Sequence, residues 1–298
     1  MKLPVKFFIT IFLSFTVYYA FSQSSELYRS LPLQNAYANG SRAEDGTPGK
    51  NYFQNHADYT IHADFDPSSG MLKGKEQVYY HNESPDTLRR IVVRLYMNIF
   101  KKGVERDFSI GEKDLHDGVE ISNLKIDGKT VEVSGSKVRQ RATNMFIELE
   151  DGLPPGDKLK MEMEWKFRMP LHVSIRMGRY GEDNWFVAYW YPQIAVYDDI
   201  MGWDTHPFTG SAEFYNDFND YDVTINVPDE YVVWATGLLN QPKKHFSDGV
   251  LKRIRKAEKS DTVVHIIKWE DIEDNRVLKN NRPWNYKAEG VPDFAFAV

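Results

Sequence analysis

The chain has 298 residues, 42% of them hydrophobic and 14% aromatic, enough apolar surface for the core of one large domain or two small ones. Its net charge of −6 comes from 37 basic and 43 acidic residues spread along the sequence, which excludes a polyelectrolyte and gives no reason to expect a nucleic-acid partner. The absence of cysteine excludes disulfides, thiolate metal sites and a lipidated anchor, so the fold must rest on its core.

Residues 1–22 read as a signal peptide. Lys2 and Lys6 form a positive start, Phe7 to Tyr19 is an uncharged apolar run, and Ala20-Phe21-Ser22 supplies a cleavage site before Gln23. The run is shorter than the ~20 residues that span a bilayer. The expectation is an exported protein, periplasmic or extracellular, with no membrane anchor after cleavage. Residues 23–50 follow as a polar extension, turn-rich and without periodicity through "QNAYANGSRAEDGTPGKN". A β-domain is expected over 51–298.

Tyr59, Ile61, Ala63 and Phe65 alternate with polar neighbours, the period of two of a half-buried strand. "PSSG" at 67–70 turns the chain into a second strand from Leu72 to Tyr80, making a hairpin. Ile91, Val93, Leu95 and Met97 predict one side of a third strand. "LKIDGKTVEV" predicts two more around Asp127-Gly128, a strong hairpin signal. Met145, Ile147 and Leu149 mark a strand that "LPPGD" reverses into Leu159, Met161, Met163, Trp165 and Phe167. Tyr221, Val223, Ile225 and Val227 alternate before the apolar run Val232 to Ala235.

No long amphipathic helix is expected, the nearest candidate being Glu270 to Leu278. The basic cluster Lys243, Lys244, Lys252, Arg253, Arg255, Lys256 and Lys259 reads as a solvated hairpin face. Many short strands with regular turns predict an all-β fold, an antiparallel sandwich or a large bent sheet.

Motifs that carry chemistry are mostly absent. None of the eight histidines forms H-E-x-x-H, so no helix-borne metal site is expected, and neither G-x-S-x-G nor a phosphate loop occurs. "GRYGEDN" at 178–184 lacks the lysine a phosphate loop needs. Asn39 and Asn82 open N-x-S sequons that matter only in a glycosylating secretory system. The densest stretch is "WYPQIAVYDDIMGWDTHPF", Trp190 to Phe208. Asp198, Asp199, Asp204, Glu213, Asp217, Asp220 and Asp222 offer an acid and base pair, with Trp185, Trp190 and Trp203 as sugar platforms. The other reading has the acids capping turns, the aromatic rings buried, and His206 as a hydrogen-bonded turn residue.

Three blocks carry a resemblance: Asn51 to Phe100, beginning "NYFQNHADYTIHADFDPSSG"; Asn184 to Gly237, with its aromatic approach, acidic turn and alternating strand ending at Val227-Pro228; and the terminal "VPDFAFAV". Together they resemble the amino-terminal domain of the aminopeptidase N family of zinc metallopeptidases (gluzincins), nearest the exported branch typical of Bacteroidetes.

The resemblance implies a saddle-shaped β-domain that supports a thermolysin-like catalytic domain and forms one wall of its peptide cleft. That partner domain would carry the zinc and H-E-x-x-H; this chain contains neither motif nor catalytic residue, and no metal or cofactor of its own is expected. Alone it is expected to be inactive. "DFAFAV" reads as a strand cut short with a bare edge, so the chain is expected to be truncated before the catalytic domain. The family's amine-holding loop maps near Asn184, Trp185 and Phe186, with Glu182 close by, where no glutamine stands; these four are the expected substrate-binding residues, the other reading being Trp185 and Phe186 as packing residues. The alternative is a stand-alone β-sandwich that binds peptide or glycan through its aromatic and acidic surface.

Overall fold

The computed structural model describes residues 28–173, 175–212, 215–279 and 283–298; the expected signal peptide lies outside them. Two compact units are distinguished, one ending at Tyr52 and one spanning Phe53–Val298. The first contains a helix where only a polar extension was expected. Helix α1 (Leu31–Asn39) starts with Pro32 in its first turn, and Gly40 closes it at φ 72°, donating to Ala36 and Tyr37 carbonyls. Proline near the start and glycine just past the end are the asymmetric signals of a helix.

The second unit is mostly strand. In chain order come β1 (His56–Asp66), β2 (Met71–His81), β3 (Leu88–Arg94), β4 (Glu120–Ile126), β5 (Lys129–Thr130) and β6 (Val138–Arg141). Next are β7 (Asn144–Leu153), β8 (Lys158–Arg168), β9 (Gly178–Tyr180), β10 (Asn184–Val187), β11 (Gln193–Ile194) and β12 (Tyr197–Asp198). The last are β13 (Gly202–Trp203), β14 (Asn219–Asn226), β15 (Trp234–Ala235), β16 (Leu238–Leu239), β17 (Trp284–Val291) and β18 (Phe296–Ala297).

Among the described residues they form an eight-stranded sheet, β16-β17-β14-β1-β2-β8-β4-β5, and two four-stranded sheets, β15-β18-β10-β9 and β11-β3-β7-β6, with β12-β13 as a small hairpin. Among the described strands every pairing is antiparallel except β1 with β14. The inward face of the large sheet (Ile61, Val78, Met161, Trp165, Val223) and that of β3 and β7 (Ile91, Val93, Met145, Ile147) share one core. The fold is therefore the expected all-β sandwich.

The first hairpin follows its sequence closely. Tyr59, Ile61, Ala63 and Phe65 are buried and Thr60, His62 and Asp64 exposed. At the turn, Asp66 accepts from the Ser68 and Ser69 hydroxyls at 2.6 and 2.5 Å. On β2, Gly74 is required by space: a Cβ there would stand 2.3 Å from the Trp165 ring of β8.

Three expectations need correction. The strand read through Met97 stops at Arg94, and Tyr96–Phe100 winds into a buried 3-10 helix; residues 91–100 are buried without exception, so alternation there reports no face. The basic cluster is not a hairpin. Most of it lies on helix α2 (Asp248–Ala257), capped by Ser247 and buried through Val250 and Leu251, with Arg255 and Lys256 in the last turn where cations are favoured. A short helix α3 (Trp269–Glu273) occupies part of the Glu270 to Leu278 candidate. Finally, the terminal strand has no bare edge, since β18 pairs with β10 on one side and β15 on the other.

Candidate functional site

The first part of the stretch, residues 190–196, is buried in the core, whereas residues 197–207 are half-buried or exposed before Phe208 is buried again. Trp190 is 1% exposed, donates through Nε1 to the Phe294 carbonyl at 2.9 Å, and accepts from Trp165 Nε1 at 3.1 Å. The Tyr191 hydroxyl meets the Tyr221 hydroxyl and Asp293 Oδ1, each at 2.9 Å. Gln193 donates to the Pro292 carbonyl, and the Ile194 amide donates to the Tyr59 hydroxyl.

The acids of this region form turns and ion pairs. Asp198 Oδ1 accepts from the amides of Ile200 and Met201, shaping the turn between β12 and β13. Asp204 pairs with the buried guanidinium of Arg94, which also donates to Asn144 Oδ1 and the His206 carbonyl. Asp222 pairs with Lys287 at 2.9 Å, and Asp220 accepts from the Gly290 amide. Asp217 differs: burial, and then the charge of Asp198, pushes its carboxyl up to about 7. Asp199 sits in the same turn, half-buried, and Glu213 lies outside the described residues. The sugar-platform reading is not supported, because Trp185 and Trp190 are buried and Trp203 packs on Tyr80 and Tyr197.

The four residues expected to bind substrate surround β10 and are not all on one face. Trp185 points inward, edge-on to Phe65 at 5.2 Å, whereas Phe186 points outward and is 36% exposed. Glu182 lies exposed in the turn before β10. Asn184 and Trp185 border a cleft of about 790 Å³, and Glu182 and Phe186 do not. Asp183, Asp229 and Glu230 contribute carboxylates to it, and the exposed side chains of Trp234 and Ile272 contribute apolar surface. Burial, and then the charges of Asp183 and Glu230, raises the Tyr231 hydroxyl. Carboxylates beside apolar side chains in one cleft suit a ligand with a cationic end and an apolar body. Sequence reading missed Asp229, Glu230 and Trp234, since nothing in their spacing places them beside Asn184.

The catalytic zinc that the resemblance implies is held by H-E-x-x-H on a helix, and this chain does not offer those residues. H-E-x-x-H is absent from the sequence, and no catalytic step through that metal is derived. Among the described residues one group brings metal-ligating atoms together: His56, Asp58 and His81, within 4.8 Å of one another. It lies on two paired strands rather than on a helix, so helical histidine spacing does not reveal it.

No protein-family description matches the sequence, and no curated protein does. Solved structures do match. The M1 zinc metallopeptidase of Deinococcus radiodurans is 14% identical with a TM-score of 0.44, covering 84% of this chain and 43% of its own. Native leukotriene A4 hydrolase of Saccharomyces cerevisiae is 7% identical with a TM-score of 0.41, over 83% of this chain and 29% of its own. Aminopeptidase A of Legionella pneumophila, in complex with aspartic acid, is 10% identical with a TM-score of 0.40, over 80% and 20%. The chain thus spans less than half the length of these structures, which include the kind of enzyme that the sequence resemblance names.

Proposed function

We propose that this chain is the non-catalytic amino-terminal β-domain of an exported zinc metallo-aminopeptidase, and that its cleft beside β10 forms one wall of the peptide-binding groove. The reading rests on the sequence resemblance, and one observation carries the recognition role. Asp183, Asp229 and Glu230 line a cleft together with Asn184 and the exposed apolar side chains of Trp234 and Ile272. An ammonium group is held by carboxylates and by an amide oxygen, and a peptide's first side chain is held by apolar surface. The zinc, the general base and the scissile-bond chemistry belong to a catalytic partner domain.

The test compares a tripeptide with a free amino end and its N-acetylated form, each titrated into the chain and followed calorimetrically. The free amine is expected to bind more tightly, and an Asp229→Asn, Glu230→Gln double variant to remove that preference. Equal binding of the acetylated peptide would overturn the amine-holding role. Aminoacyl chromogenic substrates with added zinc are expected to remain uncleaved; zinc-dependent turnover by this chain alone would overturn the non-catalytic assignment.

A further inference from the structure

The hairpin of β1 and β2 brings together two histidines that lie 25 residues apart in sequence. Both strands are 11 residues long and pair end to end, so His56, first of β1, stands opposite His81, last of β2. Directly opposed side chains on an antiparallel pair lie about 4.5–5.5 Å apart at Cβ, and the residue two further along the strand shares their face. That residue is Asp58. The imidazoles stack with centroids 4.2 Å apart and planes 9° from parallel, and His81 Nε2 lies 3.0 Å from Asp58 Oδ2. All three side chains are half-buried and open to solvent on one side.

We propose that His56, Asp58 and His81 form a surface site for one divalent transition-metal ion of the zinc, copper or nickel class. Two imidazoles and one carboxylate are the donor set these borderline ions take, whereas calcium and magnesium prefer oxygen alone. Three protein ligands with a solvent-facing side leave a fourth position for water or an external donor. The ligand atoms lie within 4.8 Å of one another. Donors across a tetrahedral shell with ~2.1 Å bonds are about 3.4 Å apart, so the ion requires the rings to turn out of their stack and converge. His56 and His81 stand at strand ends and are only partly buried, so the convergence asked of them is a rotation of side chains.

The surrounding charges are mixed. Asp220 stands beside Asp58 in the parallel register and adds negative charge. Lys158 stands opposite His81 on β8, but its ammonium lies over the Tyr79 ring, 5.2 Å from the centroid. A bound ion would tie the first residue of β1 to the last of β2, closing the open end of the hairpin.

The whole chain is titrated with Zn2+ by calorimetry and with Cu2+ by electron paramagnetic resonance. One saturable equivalent is expected, with a copper spectrum coupled to two nitrogens and a higher melting temperature when zinc is present. His56→Gln and His81→Gln should each weaken binding at least about tenfold, the lower end of what even outer-shell changes cause. No saturable equivalent, or equal affinity in the double His56→Gln, His81→Gln variant, would overturn the proposal. Should a variant misfold, the copper spectrum of the unmodified chain decides alone: fewer than two nitrogens overturns the site.

Discussion

Asp293 sits at the end of the Tyr191–Tyr221 hydroxyl chain, accepting from Tyr191 at 2.9 Å and from the Phe294 amide at 2.7 Å. Burial outweighs those hydrogen bonds and pushes its carboxyl up to about 6. An unfolded aspartate releases its proton near 3.9, so between about pH 4 and 6 the folded chain binds more protons than the unfolded one. This contribution to stability therefore falls as pH rises through that window and levels off above it. His116 acts with the opposite sign. Burial, and then the charge of Arg168, lowers its imidazole to about 4, so its stabilising effect is complete at neutral pH and is lost as pH falls from about 6.5. Carboxyls held low, such as Asp222 beside Lys287, lose their contribution only below the range in which Asp293 titrates. The Asp293→Asn variant keeps the acceptor for Tyr191 and isolates one of these terms. Its stability relative to the parent is expected to grow by roughly 1–3 kcal/mol between pH 4 and 7. Urea unfolding at a series of pH values measures this difference; a difference that does not change with pH would show that the carboxyl is not the titrating group.

At the scale of elements, the sequence was most readable where one strand face meets water. The β1–β2 hairpin, β8 and β14 alternate in burial as their residues predicted. It was least readable where burial is two-sided, as through residues 91–100, or where a helix buries only a few apolar positions among many charges, as α2 does. The Pro32 and Gly40 signals of α1 were present and outweighed by the polar composition around them. The candidate cleft was half legible: Asn184 and Trp185 border it, while Asp229, Glu230 and Trp234 reach it by tertiary folding. The His56, Asp58 and His81 trio is legible in principle, since His56 and His81 are equidistant from the turn predicted at 67–70. One element carries a polar group at odds with its pattern. Glu76 on β2 is 4% exposed, faces the core between Ile61 and Met163 on the adjacent strands, and has no hydrogen-bond partner for either carboxyl oxygen among the described residues. Burial raises its carboxyl well above the usual range. Removing a buried unsatisfied group recovers about 1–3 kcal/mol, so Glu76→Leu is expected to raise the urea midpoint with an unchanged slope. A lowered midpoint would mean that the carboxyl contributes to stability.

For the whole molecule, the proposed route out of the cytoplasm bears on how the chain is made. Processing at the expected site yields a mature chain beginning at Gln23, which mass spectrometry of the exported protein measures; a chain retained in the cytoplasm with Met1 through Ser22 intact would overturn the export reading. Without cysteine, no oxidising step is needed to complete the fold. The placement of β18 between β10 and β15 has a consequence for synthesis. Strand β10 leaves the ribosome about 110 residues before the partner that covers its edge, and at ~5–20 residues per second that interval is on the order of ten seconds. Throughout it the backbone of Asn184–Val187 has an uncovered side, a window in which a chaperone or a neighbouring nascent chain competes with Phe296 and Ala297 for the same hydrogen bonds.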